Sequence, residues 1–519
     1  MGQNKWGPVL LSAALLGTLA AGCGSNSGSS SGQATNSPAA GDSPASSAST
    51  APAEPAKPVK LEIIQNASGL PAADKDFIKQ DLDKALNVDI NMTAYAAGDD
   101  YKNQLNVRMA SGNFPDLFGV DKAAIKQYIQ QGLLLDLTPY LDKELKPVKD
   151  FIGVDSIKKA TFDGKVYAIA KAPTIPYSTF WIRKDWLDKL KLQTPTTYDE
   201  LLAVSKAFTE QDPDGNGKKD TFGLTGGKLG TFAPFFGGYG VGFYAEFYVK
   251  DGKIVNSLYE PGMKDALTMI NKFITSASVD PELMANTGNQ HLEKAIKGQA
   301  GIIYTDWASI AKDQPMEQIK KVNPNAQWVQ LAPPKGPAGA IESSFDIGNA
   351  GALFALPKTL EKDPVKLKKV FELLNYVSSK EGSQLVQFGQ KGKHYNLEGD
   401  KVVPTELMGK EAGYTWLYQF TGRPELTYLQ VKFAPQSAYI DFANKQERIK
   451  ALNGFLISPD GYNHADAFRF IEEEFTKFAY GKRPISEYDA FLKTLETTMN
   501  YKTLLDSAQK QLQALGYGK

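Results

Sequence analysis

The sequence predicts an α/β protein whose core is an open, mostly parallel sheet and whose C-terminal part is helical. Three observations predict it. From Leu61 to Gln131 apolar residues recur alternately at strand period and at helical period. Helix-start signals recur in mid-chain, at Thr197 and at Asp363. From Phe468 to Leu512 only the helical period is left.

The elements follow in order. Leu61 and Ile63, then Val88, Ile90 and Met92, alternate as strands, and Phe77, Ile78, Leu82 and Leu86 between them share one face of a helix. Tyr101, Leu105 and Met109 mark a second helix. Pro115 to Asp121 reads as a short strand ending in a turn, followed by a helix from about Ile125 to Gln131. Ligands approach such sheets at the carboxyl ends of their strands. Thr197 and Glu200 form a capping box ahead of Leu201, Leu202, Ser205 and Phe208. Trp186, with Leu187 and Leu190, faces inward from a helix and belongs to the core. Asp363 caps a helix that Pro364 opens, with Leu367, Val370, Phe371, Leu374 and Val377 inside. Phe468, Ile471, Phe475 and Phe478, then Leu504, Leu505, Ala508 and Leu512, give the last helices. No fixed-period repeat is visible, which argues against a solenoid.

The N-terminus carries a different message. Lys5 precedes an apolar run from Val9 to Ala20, and Ala21-Gly22-Cys23 closes it. That is the build of a secretory signal peptide over residues 1–22, too short for a spanning helix, which needs roughly 20 apolar residues. The segment resembles a bacterial lipoprotein lipobox, with the usual Leu displaced by one to Leu19. It implies lipidation of Cys23 and anchorage to the outer face of the cell membrane. One acyl chain anchors only marginally, so the implied modification is a diacyl one of the palmitate type. The alternative is an ordinary signal with an incidental cysteine. Residues 23–58 are nearly all Ser, Gly, Ala, Thr, Asn and Pro, with too little apolar surface to order, and read as a tether.

Composition narrows the function. Lys and Arg number 58 against 58 Asp and Glu, so no electrostatic footprint for nucleic acid is expected. The single cysteine allows no disulfide, and three scattered histidines, His291, His394 and His464, leave little for zinc. The length beyond the tether suits one large or two medium domains.

Three stretches carry a more specific signal: Asp163 to Ile169, Thr179 to Leu187, and Pro195 to Leu201. With Ala295 to Trp307 and the helix from Pro364 to Gly382 after Ala352 to Leu356, they resemble the extracellular solute-binding proteins that feed ABC importers, the family of maltose-binding protein. More narrowly the chain is similar to the long oligosaccharide-binding lipoproteins of Gram-positive bacteria, relatives of the alginate-binding proteins. The resemblance implies a two-lobed periplasmic-binding-protein-like fold, each lobe a mostly parallel sheet flanked by helices, with a helical C-terminal extension. By analogy the chain crosses between lobes near Ala170 to Pro173, returns near Gly298, and crosses again near Phe345 to Gly351. Lobe 1 is then 59–172 plus 299–345, and lobe 2 is 173–298 plus 346–519. The implied partners are an oligosaccharide and ABC permease subunits, with the protein acting as a monomer.

A local motif has its own chemistry. Asp212, Asp214, Asn216 and Asp220 place oxygen side chains at positions 1, 3, 5 and 9 of a loop, with Gly215 one place before Asn216 and Gly217 at position 6. Lys218 can offer its carbonyl at position 7. This is the spacing with which an EF-hand loop wraps Ca²⁺. The bidentate Glu of position 12 is replaced by Gly223, so closure needs a bidentate Asp, the Thr221 hydroxyl or water. The expected role is a structural Ca²⁺ site; the alternative is a polar surface turn.

Sugars offer apolar faces edged by hydroxyls, so their sites combine aromatic platforms with carboxylates and amides. The candidates are Asp121, Tyr177, Trp181, Tyr239, Asp306, Trp307, Trp416 and Tyr418, with Phe243 beside Tyr239; core packing is the alternative for each aromatic. No catalytic residue is assigned, and an enzyme is not expected. A lipoprotein glycoside hydrolase would need two opposed carboxylates, and Glu472-Glu473-Glu474 reads as a solvated helical face. A carbohydrate-sensing surface protein is the other alternative.

Overall fold

The computed structural model describes residues 57–96 and 98–518. The signal peptide, Cys23 and nearly all of the tether lie outside the described residues. In chain order the strands that matter here are β1 (Val59–Asn66), β2 (Val88–Tyr95), β3 (Leu117–Val120), β4 (Ala168–Ala170), β5 (Ser178–Arg183) and β6 (Phe222–Thr225). They continue with β7 (Ala300–Asp306), β8 (Trp328–Leu331), β9 (Ser343–Asp346), β10 (Leu353–Ala355) and β11 (Arg448–Ala451).

Two sheets organise two lobes. The first has the order β2-β1-β3-β10-β4, with β2, β1 and β3 parallel and β10 antiparallel to both its neighbours. The second has the order β8-β5-β7-β6, with β5 antiparallel to β8 and β7 and a parallel β7–β6 pair. Each sheet is therefore mixed, with one reversed strand inserted among parallel ones. That reversed strand is the one that enters the lobe from the other.

Local signals explain the helices that pack on them. Asp76 caps Phe77–Leu86, accepting from Lys79 N at 3.0 Å, and Ile78 and Leu82 are its buried face. The Thr197–Glu200 capping box starts Tyr198–Glu210, and Asp363 with Pro364 starts Pro364–Ser378. Helices His464–Ala479, Tyr488–Thr498 and Tyr501–Ala514 pack into the second lobe's core, forming the C-terminal helical region. Among the described residues no helix is long and apolar enough to cross a membrane.

The expected lobe boundaries need correction. Residues 299–345 do not join residues 59–172. Strand β7 pairs with β5 in register Ile302↔Ile182, and Gly301 lies so close to helix Tyr198–Glu210 that a Cβ there would meet the Phe208 ring at 2.2 Å. That contact welds 300–306 to the second lobe, and no return near Gly298 occurs. Conversely, β10 and the helices Pro364–Ser378 and Lys380–Phe388 pack with the first lobe, whose core runs on to Phe420. The chain passes between lobes at 171–177, at 347–352, and again after Phe420. The first and third passages touch, Ala172 N donating to Thr421 O at 2.9 Å. A third, smaller core joins Trp181, Trp307 and Trp328 to Phe388, Tyr395, Tyr428 and Ile440.

Candidate functional site

Two cavities of about 500 and about 370 Å³ open at the carboxyl end of β3 and share Val120, Asp121 and Gly351. Gly351 lies on the second passage between lobes, so the larger cavity is walled by both lobes. This is where an open α/β sheet presents a ligand site.

The smaller cavity is lined by amides. Gln65 and Asn66 end β1, and Asn106 and Gln127 come from the neighbouring helices Asp99–Ser111 and Lys122–Gln130. Gln65 is held by donating to Leu417 O at 2.7 Å, and Asn106 accepts from Tyr128 Oη at 2.8 Å. Asp121 caps the helix Lys122–Gln130 through Ala124 N at 2.9 Å, with Lys102 Nζ 3.8 Å away.

The larger cavity is lined by rings from the second lobe. Phe243 and Tyr244 lie 3.9 Å apart, Tyr244 meets Phe468 edge-on at 5.6 Å, and His464 tilts against Phe468 at 5.9 Å. Phe468 is 39% exposed, unusual for a ring on a helix that is otherwise packed into a core. Beneath the rings, Glu246 Oε2 accepts from Phe243 N at 2.7 Å. Burial pushes the Glu246 carboxyl up to about 7, so it is a proton donor as well as an acceptor near neutrality. Asp346 accepts from Gly348 N at 2.9 Å and Gly454 N at 2.8 Å, and burial outweighs these bonds and raises its pKa too. Lys122 donates to Gly454 O, and burial brings its ammonium down to about 8. Together these groups fix the second passage against the loop around Gly454.

Of the sequence-predicted residues, Asp121 lines both cavities, and Phe243 lines the larger one. The others fall elsewhere. Trp181, Trp307 and Tyr418 are core residues, at most 3% exposed. Trp181 is an inner residue of β5 and borders a pocket of only about 40 Å³, too small for a sugar ring. Trp307 packs edge-on against Phe433, and Tyr418 donates to Asp76. Asp306 caps a short turn through Ser309 N, Tyr177 donates to Glu425 at 2.6 Å, and Tyr239 stacks on Tyr198. Trp416 is exposed but lines neither cavity. The cavity-lining residues that sequence reasoning missed, Tyr462, His464 and Glu246 among them, come from segments whose approach to β3 is purely tertiary.

The Asp212–Asp220 loop lies apart from both cavities. Asn216 Nδ2 donates to Asp214 Oδ2 at 2.8 Å and to Asp220 Oδ1 at 3.2 Å, while Asp212 accepts from the amides of Gly215, Asn216 and Gly217. Thr221 is buried and donates to Phe208 O at 2.8 Å, so its hydroxyl is not a free closing ligand. Position 12 has no room for Glu: a Cβ on Gly223 would meet Ser205 at 2.1 Å. Among the described residues no group of three acidic, His or Cys side chains is arranged to hold a metal.

The bacterial extracellular solute-binding protein family matches residues 67–384, more than half of the chain. The chain belongs to that family. It is 26% identical to the polygalacturonan/rhamnogalacturonan-binding protein YtcQ of Bacillus subtilis over 82% of this chain and 86% of that protein. It is 28% identical to Lipoprotein LipO of the same organism over 66% of this chain and 68% of that one. Among solved structures, an EF-hand mutant of the Streptococcus pneumoniae ABC-transporter substrate-binding protein FusA, in complex with fructo-nystose, superposes with a TM-score of 0.65. The match covers 88% of this chain and 99% of FusA at 19% identity, a likeness of fold. A two-lobed solute-binding protein is thus the molecule these residues build, and its two cavities open at the carboxyl end of β3.

Proposed function

We propose that the solute is an oligosaccharide, captured between the two lobes and delivered to an ABC permease. The observation that carries this is the pairing of an amide-lined wall, Gln65, Asn66, Asn106 and Gln127, with an aromatic wall around Tyr244 and Phe468. Amides match hydroxyls as both donors and acceptors, carboxylates match them as acceptors, and rings cover the apolar face of a pyranose. The names of YtcQ and FusA support the same class of ligand.

Cys23 is the proposed lipid attachment point, holding the protein at the outer face of the cell membrane; LipO's name supports it. The Asp212–Asp220 loop is the proposed Ca²⁺ site. Asp212, Asp214, Asn216 and Asp220 carry oxygens at the sequence spacing of a hard-cation loop, and Ca²⁺ would have to draw them away from the bonds Asn216 Nδ2 makes to Asp214 and Asp220. Burial and the neighbouring Asp212 raise the Asp214 carboxyl, a repulsion that a cation would relieve.

Titration of intrinsic fluorescence with an oligosaccharide panel tests the main reading. Saturable binding with the ligand recovered intact is expected. Release of shortened products would favour a hydrolase instead.

A further inference from the structure

We infer that Lys171 is a specificity-determining residue for an anionic saccharide, its ammonium meeting a carboxylate or sulfate on a sugar seated at the Phe354 end of the cleft. This rests on the oligosaccharide reading above and deepens it.

Lys171 follows β4 and opens the first passage between the lobes. Its backbone is fixed: its carbonyl accepts from Ser156 Oγ at 2.9 Å, and the next residue, Ala172, pairs with Thr421. Gly422 approaches so closely that a Cβ on it would meet Ala172 N at 2.6 Å, and its φ of +81° suits glycine. The side chain is thereby aimed over the Phe354 ring, with Nζ 5.6 Å from the centroid. Phe354 lines the smaller cavity.

The charges around this ammonium do not balance. The charged groups that act on it are Arg423 and Glu425. Arg423 takes both oxygens of Glu425, at 2.6 and 2.8 Å, and Tyr177 Oη adds a third bond to the same carboxylate at 2.6 Å. Arg423 also stacks over Tyr428 at 3.6 Å and donates to Gln419. Glu425 is thus already bonded three times, and among the described residues no hydrogen bond or ion pair joins an acceptor to Lys171 Nζ. Burial and the like charge of Arg423 bring Lys171 down to about 8. Lys171 is half-buried, and a partly desolvated charge without a partner is left uncompensated.

The rest of the cleft is different. Lys122 is bonded to a carbonyl and Lys102 stands near Asp121. Glu246 and Asp346 put carboxyl groups at the aromatic end, where an anion would be repelled whenever they are ionised, while Asp121 lines both cavities and is offset by Lys102. A ligand with its anionic group over Phe354 and uncharged residues over Tyr244 and Phe468 satisfies both ends.

Isothermal titration with matched oligosaccharides, one neutral, one bearing uronate and one bearing sulfate, tests this. The expected result is about tenfold or tighter binding of one anionic form over the neutral one. Lys171→Gln should bring that ratio down to about one, and Lys171→Arg should keep most of it, both checked for folding by circular dichroism. Binding of the anionic form near pH 8 should take up protons, seen by repeating the titration in buffers of different ionisation enthalpy. Equal or tighter binding of the neutral sugar, or an unchanged ratio in Lys171→Gln, overturns the inference and leaves the oligosaccharide reading standing. No binding by any of the three overturns both.

Discussion

Tyr418 donates its phenolic hydrogen to Asp76 Oδ2, joining residues that are 342 positions apart in the chain. The same carboxylate accepts from Tyr414 Oη at 3.0 Å and caps the helix Phe77–Leu86 through Lys79 N. One buried side chain thus ties the start of the first lobe to the segment that ends it. Asp76→Ala removes a helix cap and leaves two phenols without acceptors. It should cost about 2–4 kcal/mol in urea denaturation, and Asp76→Asn should recover part of it. A loss within 0.5 kcal/mol or so would show that the tie contributes little.

The same residue shows why Tyr418 misled as a ligand candidate. Tyr418 reads in the sequence as a loop aromatic beside Trp416, and only the fold buries its ring and supplies the acceptor. Short-range chemistry was legible: the capping box at Thr197, the Asp363-Pro364 start, and the strand and helix periods from Leu61 to Gln131 are all realised. Asp121 was legible because it ends a strand and caps the next helix. Lobe membership was not, because β7 and β10 each sit beside strands far from them in sequence, and packing such as Gly301 on Phe208 leaves no local mark. Phe468 reads as one more core position on a helix, yet it is the ring that the fold leaves exposed at the cleft.

Glu342 gives a pH dependence with a definite sign. The carboxyl is fully buried, neither oxygen has a hydrogen-bond partner, and burial raises its pKa from 4.5 to about 8. The folded state therefore holds this proton more tightly than the unfolded chain. Its contribution is complete below about pH 4.5 and is lost as pH rises to about 8. Glu342→Gln keeps the shape and removes the ionisation. The variant should match the wild type near pH 5 and be more stable at about pH 8.5, by roughly 1–4 kcal/mol. Equal urea midpoints at the higher pH would contradict this.

Phe468→Ala separates binding from stability. The ring is part exposed, so its removal should change the melting temperature little, while oligosaccharide affinity should fall about tenfold by calorimetry. Loss of stability with affinity retained would return Phe468 to the core.

Gly454 meets the second passage backbone to backbone. A Cβ on it would lie 2.2 Å from the Gly348 carbonyl carbon and 2.3 Å from Asn349 N. Neither neighbour is a flexible side-chain tip, so the loop must shift, and the Gly454 N to Asp346 bond of 2.8 Å shifts with it. Gly454→Ala should cost about 1–3 kcal/mol and weaken ligand binding, because the passage it displaces borders the cleft. Gly409→Ala, in the helix Glu406–Glu411 with nothing within 4 Å of the added Cβ, is the control and should be neutral or slightly stabilising.

The Asp212–Asp220 loop predicts a metal effect far from the cleft. With Thr221 spent on Phe208 O and no room for a side chain at Gly223, closure falls to an Asp or to water, so affinity should be modest. At about 100 times the dissociation constant, Ca²⁺ would still add ~2.7 kcal/mol to the folded state. The melting temperature should rise with Ca²⁺ over chelator in the wild type. In Asp214→Asn the metal-free protein should be no less stable than the wild type, because like-charge crowding is relieved, and the Ca²⁺ response should shrink or vanish. Identical melting in chelator and in millimolar Ca²⁺ would reduce the loop to a polar turn.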